Sequence, residues 1–457
     1  MLHSLTTSYK LALGSSLLIF LPILISRALV SPSSEMSPPP SPSSVASSLL
    51  VSRGLHLQSL KVIQSLWAGY GEICHMTASP NSSPNSSAKT SRSASTTNSN
   101  GSTPQEIQSF ILKLITPPPT KSNDEGHLRK ILSYQVEQYF YSELAPLLPP
   151  SVPVASCVAS INQHHADGTS TTAMLLSDLR QRYPVAGDKR AQLAATQVHA
   201  ALDWLSGFHG FWWPRAKAMD RRSFVRPPLE EIKLTAEDGR EKSVWLNGGY
   251  TYLATRRKEY DDLASDYESE WTGALTKPLE DAISLSEVVA DLLGPREQGW
   301  GRTEAYQTLI HGDVKSENLF TSTSGEEVAF YDFQYVGLGL GVCDLAKLFT
   351  CSVPLHLLVS YLDAPLGREL AMQPGEKALL ERYLARLKAV SQKEYDWSVF
   401  VRHWETALVD WLRFQASWGF WGNTEWLEAR VRWILTDGRW GEEVVGDWKH
   451  GQRTEAV

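Results

Sequence analysis

Apolar and polar positions repeat with two different periods along this chain, and the change of period divides it. Ser65-Leu66-Trp67-Ala68-Gly69-Tyr70-Gly71-Glu72-Ile73-Cys74-His75-Met76 predicts a strand, a glycine turn and a second strand, and Ile107 to Ile115 predicts another. From Asp124 to Leu148 the apolar positions Leu128, Ile131, Leu132, Val136, Phe140 and Leu144 recur at helical spacing until prolines end the run. Strand and hinge signals follow. Helical spacing then takes over in Gln192 to Phe211, in most of Leu279 to Leu293, and from about Pro354 onward, with short apolar strands at Leu309-Ile310 and Val328 to Tyr331. A small β-rich lobe with one helix (51–180) ahead of a large, mainly helical lobe (181–457) is an α+β architecture of the kinase kind.

Three segments lack either period. Leu11 to Ser26 is apolar or small, between Lys10 and Arg27, but it is shorter than the roughly 20 residues of a spanning helix and Pro22 interrupts it. A signal peptide, a short membrane anchor and an artefactual start stay open for residues 1–30. The Ser/Pro-rich stretch 31–50 reads as a flexible linker, so folding is expected to begin near Val51. Residues 79–102, rich in Ser and Asn, read as a disordered insertion in a hairpin. Asn81, Asn85 and Asn100 each open an Asn-X-Ser triplet there, which such a composition produces by chance.

Composition narrows the class. At 457 residues with 42% hydrophobic and 20% charged positions, the chain can bury more than one ordinary core. Its net charge of -7 argues against a nucleic-acid partner. Cys74, Cys157, Cys343 and Cys351 have no metal-ligand spacing, which suits a thiol-reducing compartment without zinc or disulfides. Trp404, Trp411 and Trp418 recur every seven residues, along one side of a helix. Core packing is the reading for Trp404 and Trp411. Trp418 and Trp421, which adjoin Gly419 and Gly422, could equally form a pocket wall suited to a quaternary ammonium or a flat apolar alcohol.

The chemistry concentrates in Leu309-Ile310-His311-Gly312-Asp313-Val314-Lys315-Ser316-Glu317-Asn318-Leu319-Phe320 and Val328-Ala329-Phe330-Tyr331-Asp332-Phe333-Gln334. A loop carboxylate can take a proton from an acceptor hydroxyl, and an amide five residues on can turn back to hold a metal beside it. Asp313 and Asn318 have that spacing. A second carboxylate at a strand end, Asp332, supplies the hard oxygen that Mg²⁺ prefers.

These two motifs, with Gly341-Val342-Cys343-Asp344-Leu345-Ala346, resemble the aminoglycoside phosphotransferase, choline kinase and ecdysteroid kinase-like superfamily of protein-kinase-like fold. The resemblance runs from about Val51 to the C-terminus. It implies Asp313 as catalytic base, Asn318 and Asp332 as metal ligands, and ATP and Mg²⁺ as cofactors. It makes Asp344 a structural carboxylate bonding backbone amides, and His311 a brace for the loop more than a base. It also implies an upstream lysine on the phosphates and a helix glutamate holding it. Lys113, alone among apolar residues in Phe110 to Ile115, requires a counterion if buried. Ser133 to Leu144 resembles the family's Glu-X-X-Phe-Tyr helix, making Glu137 the expected partner and Glu143 the alternative. Gly69 and Gly71 would let backbone amides approach the phosphates, or would form an ordinary hairpin turn. Met174-Leu175-Leu176-Ser177-Asp178-Leu179 resembles the interlobe hinge, placing Leu176 and Asp178 beside an adenine.

Gln334 where protein kinases have glycine, and Asp344-Leu345-Ala346 following almost directly, leave no long activation segment to dock a peptide. The expected activity is therefore ATP-dependent phosphorylation of a small alcohol or amino-alcohol-like substrate, lodged between Asp313 and the C-terminal helices. The alternative is a catalytically silent, kinase-shaped binding protein tethered to a membrane. Leu246-Asn247-Gly248-Gly249-Tyr250-Thr251-Tyr252, with Arg256-Arg257 and Glu259 after it, reads more as a surface turn before a charged helix than as a substrate segment. The catalytic region is expected in the cytosol, soluble or anchored through residues 11–26, with a secretory route left open.

Overall fold

The computed structural model describes residues 40–81, 107–118, 124–164, 170–238, 241–279, 283–295, 303–359 and 365–455. The apolar stretch 11–26 and nearly all of the Ser/Asn-rich insertion lie outside these residues. Among the described residues no helix is long and apolar enough to cross a membrane.

A helix already occupies the nine residues before Val51. Helix α1 (Pro42–Val51) starts with Pro42 in its first turn, and the Ser41 hydroxyl accepts from the Ser44 amide at 3.2 Å. Val45, Ala46, Leu49 and Leu50 form one helical face and are buried against the sheet. Serine content suggested a linker, but this apolar face decides the structure.

The small lobe is a sheet of β1 (Leu55–Ser65), β2 (Gly71–Pro80), β3 (Gln108–Ile115), β4 (Cys157–His164) and β5 (Ser170–Ser177), antiparallel throughout in the order β1-β2-β3-β5-β4. Side chains alternate between faces. Phe110, Leu112 and Leu114 of β3 pack with α1, whereas Ile111, Lys113 and Ile115 face the other way. On that side lies α2 (Glu125–Tyr139), capped by the Asp124 carboxylate on the His127 amide and continued by a wide turn over Phe140–Leu144.

After the short strand β6 (Val185–Ala186), the large lobe is built on the long helix α3 (Ala195–Ala216). α4 (Pro228–Asp238), α5 (Arg257–Ser265), α6 (Glu270–Thr276) and α7 (Leu285–Leu293) follow. Then come the strands β7 (Thr308–Ile310), β8 (Leu319–Thr321), β9 (Val328–Phe330) and β10 (Gly337–Gly339), with β10 paired to β7 and β8 between β6 and β9. Helices α8 (Gly341–Cys351), α9 (Leu355–Leu358), α10 (Pro374–Ser391), α11 (Trp397–Trp418), α12 (Thr424–Thr436) and α13 (Gly438–Glu455) complete the lobe. Trp404 and Trp411 are buried on α11, as heptad spacing predicts for a core-facing side. This is a two-lobed, protein-kinase-like α+β fold.

Candidate active site

The loop from β7 to β8 carries His311, Gly312 and Asp313, and it is held from behind. The fully buried Asp344 carboxylate, in the first turn of α8, accepts from the His311 amide at 2.7 Å and the Gly312 amide at 2.9 Å. His209 of α3 lies 3.2 Å from the same carboxylate and pairs through its other ring nitrogen with the Tyr383 hydroxyl at 2.8 Å. Burial alone would raise the Asp344 pKa, but the His209 hydrogen bond and Lys347 carry it below the ordinary value. Asp344 thus has the bracing geometry that the resemblance implied. Gly312 sits at φ +85°, and a Cβ there would lie 2.3 Å from the Tyr335 carbonyl oxygen, so only glycine fits.

His311 is wholly buried, with Nε2 3.0 Å from the Tyr331 carbonyl and Nδ1 accepting from the Asp313 amide at 3.3 Å. Burial pushes its pKa down, which favours the neutral ring. With Nε2–H donating and Nδ1 accepting, both nitrogens are committed to the backbone.

Asp313 Oδ2 accepts from Asn318 Nδ2 at 3.0 Å and from Lys315 Nζ at 3.1 Å, and Lys315 also reaches Glu317 at 3.2 Å. Asn318 Nδ2 donates a second bond to the Asp313 carbonyl at 2.8 Å, leaving the amide oxygen uncommitted to that residue. The β8–β9 register pairs Leu319 with Phe330, and the Tyr331 amide donates to the Asn318 carbonyl at 3.0 Å. One hairpin end therefore brings Asn318 and Asp332 together from 14 positions apart in sequence. Their oxygens are hard donors of the kind that suits a small divalent cation.

Asp332 also meets the small lobe. Lys113, 6% exposed, places Nζ 2.6 Å from Glu137 Oε2 and 3.2 Å from Asp332 Oδ1. Burial opposes the ammonium, yet the two carboxylates outweigh it and raise the Lys113 pKa. Burial pushes the Glu137 carboxyl up to about 7. Asp332 goes the other way: burial would raise it, while Lys113 and Lys315 hold it below the usual carboxylate range. Its backbone takes φ +65°, a conformation that aspartate tolerates better than most residues. Phe333 fixes that conformation, stacked on Phe140 at 3.8 Å and lying 4.6 Å from the His311 ring. Gln334 donates to Asp332 Oδ1 at 2.6 Å and accepts from Ser133 of α2 at 3.2 Å. Glu143, the alternative acid, has no bond to Lys113 among those formed by that lysine.

The glycine turn lies over α2. Gly71 has φ +137°, and a Cβ there would fall 2.0 Å from the Leu114 carbonyl oxygen, whereas Gly69 faces open space. Lys130 of α2 lies 4.0 Å from the Trp67 ring centre and 4.6 Å from that of Tyr70, whose hydroxyl pairs with His127 at 2.6 Å. At the hinge, Leu176 pairs with Ile111. The Asp178 carboxylate is taken up by Ser109 at 2.8 Å and by Arg180, so its side chain is committed within the protein.

Beside Asp313 opens a cavity of about 310 Å³ whose walls include Tyr250, Trp411, Trp418, Phe420 and Trp421. Tyr250 lies in a turn ahead of the charged helix α5, but the turn is packed inward and half-buried. Gly248 and Gly249 donate to the Leu338 and Tyr335 carbonyls at 2.6 and 3.0 Å, threading the segment against β10.

A family model, the ecdysteroid kinase-like family, matches residues 88–366, more than half of the sequence. The chain belongs to the ecdysteroid kinase-like family. No curated protein matches it. Among solved structures, an amicoumacin kinase in complex with AMP-PNP and Ca²⁺ is similar at 13% identity, covering 86% of this chain and 92% of that one with a TM-score of 0.36. A microcompartment-associated aminopropanol kinase shows 13% identity over 89% and 98% of the two chains with a TM-score of 0.39. The choline kinase of Cryptosporidium parvum shows 10% identity over 88% and 90% with a TM-score of 0.38.

In this ecdysteroid kinase-like chain the pairs read from motifs meet in space, but four contributors had no motif. Tyr250 reaches the cavity through backbone pairing. Lys189 and Arg190 line it because Gly187 donates to Leu319 and Ser316 donates to the Asp188 carbonyl. His209 meets Asp344 from 135 positions away. Two consecutive glycines and a basic pair were the faint signals available.

Proposed function

We propose that this protein transfers the γ-phosphoryl group of ATP to a hydroxyl of a small organic alcohol, with Asp313 as the base. The observation that carries the reading is the meeting of Lys113, Glu137 and Asp332 at 2.6 and 3.2 Å, from β3, α2 and the end of β9, next to the Asp313–Asn318 loop. A buried ammonium with two carboxylates is costly to assemble, and phosphate binding beside a cation gives it a use.

Asp313 takes the acceptor's proton as the alcohol oxygen bonds to the γ-phosphorus and the bond to the β–γ bridging oxygen breaks. ADP and a phosphomonoester leave, and the proton passes from Asp313 to solvent. Lys113, positioned by Glu137, holds phosphate oxygens. The glycine turn at Gly69 and Gly71, whose Gly69 amide is spent on the Leu66 carbonyl at 3.2 Å, covers them, while the backbone near Leu176 and Asp178 receives the adenine. Asp332 and the Asn318 oxygen would hold Mg²⁺, which supplies charge neutralisation on the phosphates. His311 braces the loop. The cytosol, which supplies ATP, is the compartment this activity needs.

Asp313→Asn should keep nucleotide affinity and lose about 10²–10⁴-fold in turnover. The measurement is ADP release with a panel of alcohols; undiminished turnover removes Asp313 from the mechanism. Nucleotide binding with no transfer to any alcohol would favour a silent binding protein.

A further inference from the structure

The cavity beside Asp313 has a sign as well as a shape. Its charged lining is Lys189, Arg190, Lys315 and Lys347 against Asp313 and Glu317. Lys315 bridges both carboxylates at 3.1 and 3.2 Å, and Lys347 Nζ is held by the Gly312 carbonyl at 2.7 Å. Lys189 and Arg190 are exposed, and neither side chain forms an ion pair among the described residues. Their loop is nonetheless fixed: the Arg190 amide donates to Glu317 at 3.0 Å and the Ser316 hydroxyl to the Asp188 carbonyl at 3.0 Å. Two cations are thus presented from a tethered loop without an ion pair among the described residues.

The aromatic wall points the same way. Trp418 and Phe420 are 57% and 43% exposed, an unusual cost for large apolar rings unless something covers them. Trp418 already has the Arg256 guanidinium 5.3 Å from its ring centre. A second cation brought to that ring would meet the first, so the wall suits an apolar body and not an ammonium.

We infer that the acceptor is an anionic alcohol, with a flat apolar body resting on Trp418 and Phe420 and a carboxylate, sulfate or phosphate read by Lys189 and Arg190. This rests on the proposed reading only in placing the hydroxyl at Asp313. Both cations lie at an exposed rim, so their contribution weakens as salt rises.

The test reads binding, not turnover. Titration calorimetry at low ionic strength on the full chain carrying Asp313→Asn compares 4-(hydroxymethyl)benzoate, 4-(hydroxymethyl)benzamide and 4-(hydroxymethyl)benzyltrimethylammonium. The benzoate should bind about tenfold more tightly than the ammonium, with the amide between. The double reversal Lys189→Glu, Arg190→Glu should abolish or invert that order, and the neutral pair Lys189→Gln, Arg190→Gln should flatten it. Equal or tighter binding of the ammonium overturns the inference, as does an order indifferent to the reversal or no binding by any probe at millimolar concentration. AMP-PNP separates the two sources of anion: if the reversal weakens it tenfold while sparing the benzoate, the cations serve the nucleotide and the inference falls. Absence of phosphoryl transfer in the unsubstituted chain would instead sink the kinase reading and leave this charge order standing.

Discussion

The two sides of the cleft are built on different principles. Toward the small lobe, Lys113, Glu137 and Asp332 are each committed to a charged partner at 2.6 or 3.2 Å, and Gln334 takes up a further bond of Asp332. Toward the C-terminal helices, the cavity is walled by the exposed rings of Trp418 and Phe420 and by Lys189 and Arg190, whose side chains form no ion pair among the described residues. One side has its charges matched within the protein, and the other leaves two cations and two rings exposed. The difference teaches which side can vary: a closed charge network tolerates no single change, whereas rings on the α11–α12 turn can be exchanged one at a time.

That contrast breaks most sharply at its strongest point. Lys113→Met removes the cation bonded to Glu137 and leaves two carboxylates near each other. Turnover should fall about 10²–10³-fold, and stability by about 3–5 kcal/mol as the broken buried pair is exposed in chemical denaturation. Trp418→Ala should act on one parameter alone, raising the acceptor KM about tenfold while the nucleotide KM stays put. Steady-state kinetics on both variants decides the matter. If Trp418→Ala damages both parameters alike, the two sides are not separable.

The same contrast explains what the sequence made legible. Asp313 and Asn318 share one loop and Asp332 ends the hairpin that follows it, so local spacing carries their geometry. Lys113 stands alone in an apolar strand, and the cost of burying it demands an anion, which α2 supplies through Glu137. Tyr250, Lys189 and Arg190 come together through backbone bonds such as Gly249 to Tyr335 and Gly187 to Leu319, which leave no periodic trace in side-chain types. Helix α1 failed for another reason. Its serines are the turn-forming residues of linkers, and only the spacing of Val45, Ala46, Leu49 and Leu50 betrays the buried face.

A smaller effect separates the two regions by pH. In the helical lobe, burial of His403 beside Tyr395 and Tyr306, with Arg402 adding like charge, drives its pKa down to about 3. The folded pKa lies below the unfolded value of 6.5, so this contribution is present above pH 6.5 and is lost as pH falls toward 3. Between pH 8 and 5.5 it should cost about 1.4 kcal/mol. Glu137, raised from 4.5 to about 7, has the opposite sign: its cost is full above 7 and is relieved as pH falls toward 4.5. Urea unfolding of His403→Gln against the parent isolates the first term, because Glu137 is common to both. A difference that does not change over this interval would refute the assignment to His403.

The smallest effect tests how the glycine turn is held. Lys130 Nζ lies 4.0 Å from the Trp67 ring centre and 4.6 Å from that of Tyr70, so one ammonium ties both rings of the turn to α2. Burial lowers the Lys130 pKa, as expected for an ammonium covered by rings. The Tyr70–His127 bond at 2.6 Å remains when the charge is removed, so the turn should loosen without detaching. Lys130→Met keeps the apolar stem and deletes the cation–π attraction, about 0.5–1 kcal/mol at the exposed Trp67 ring and up to about 2 kcal/mol at the buried Tyr70 ring. The nucleotide KM should rise about three- to tenfold, with kcat and the acceptor KM unchanged. Lys130→Arg, which keeps the charge over both rings, should restore most of the loss. A nucleotide KM unmoved by Lys130→Met would show that the turn is placed by Gly71 and its close approach to Leu114, and that the ammonium over its rings contributes nothing to holding the phosphates.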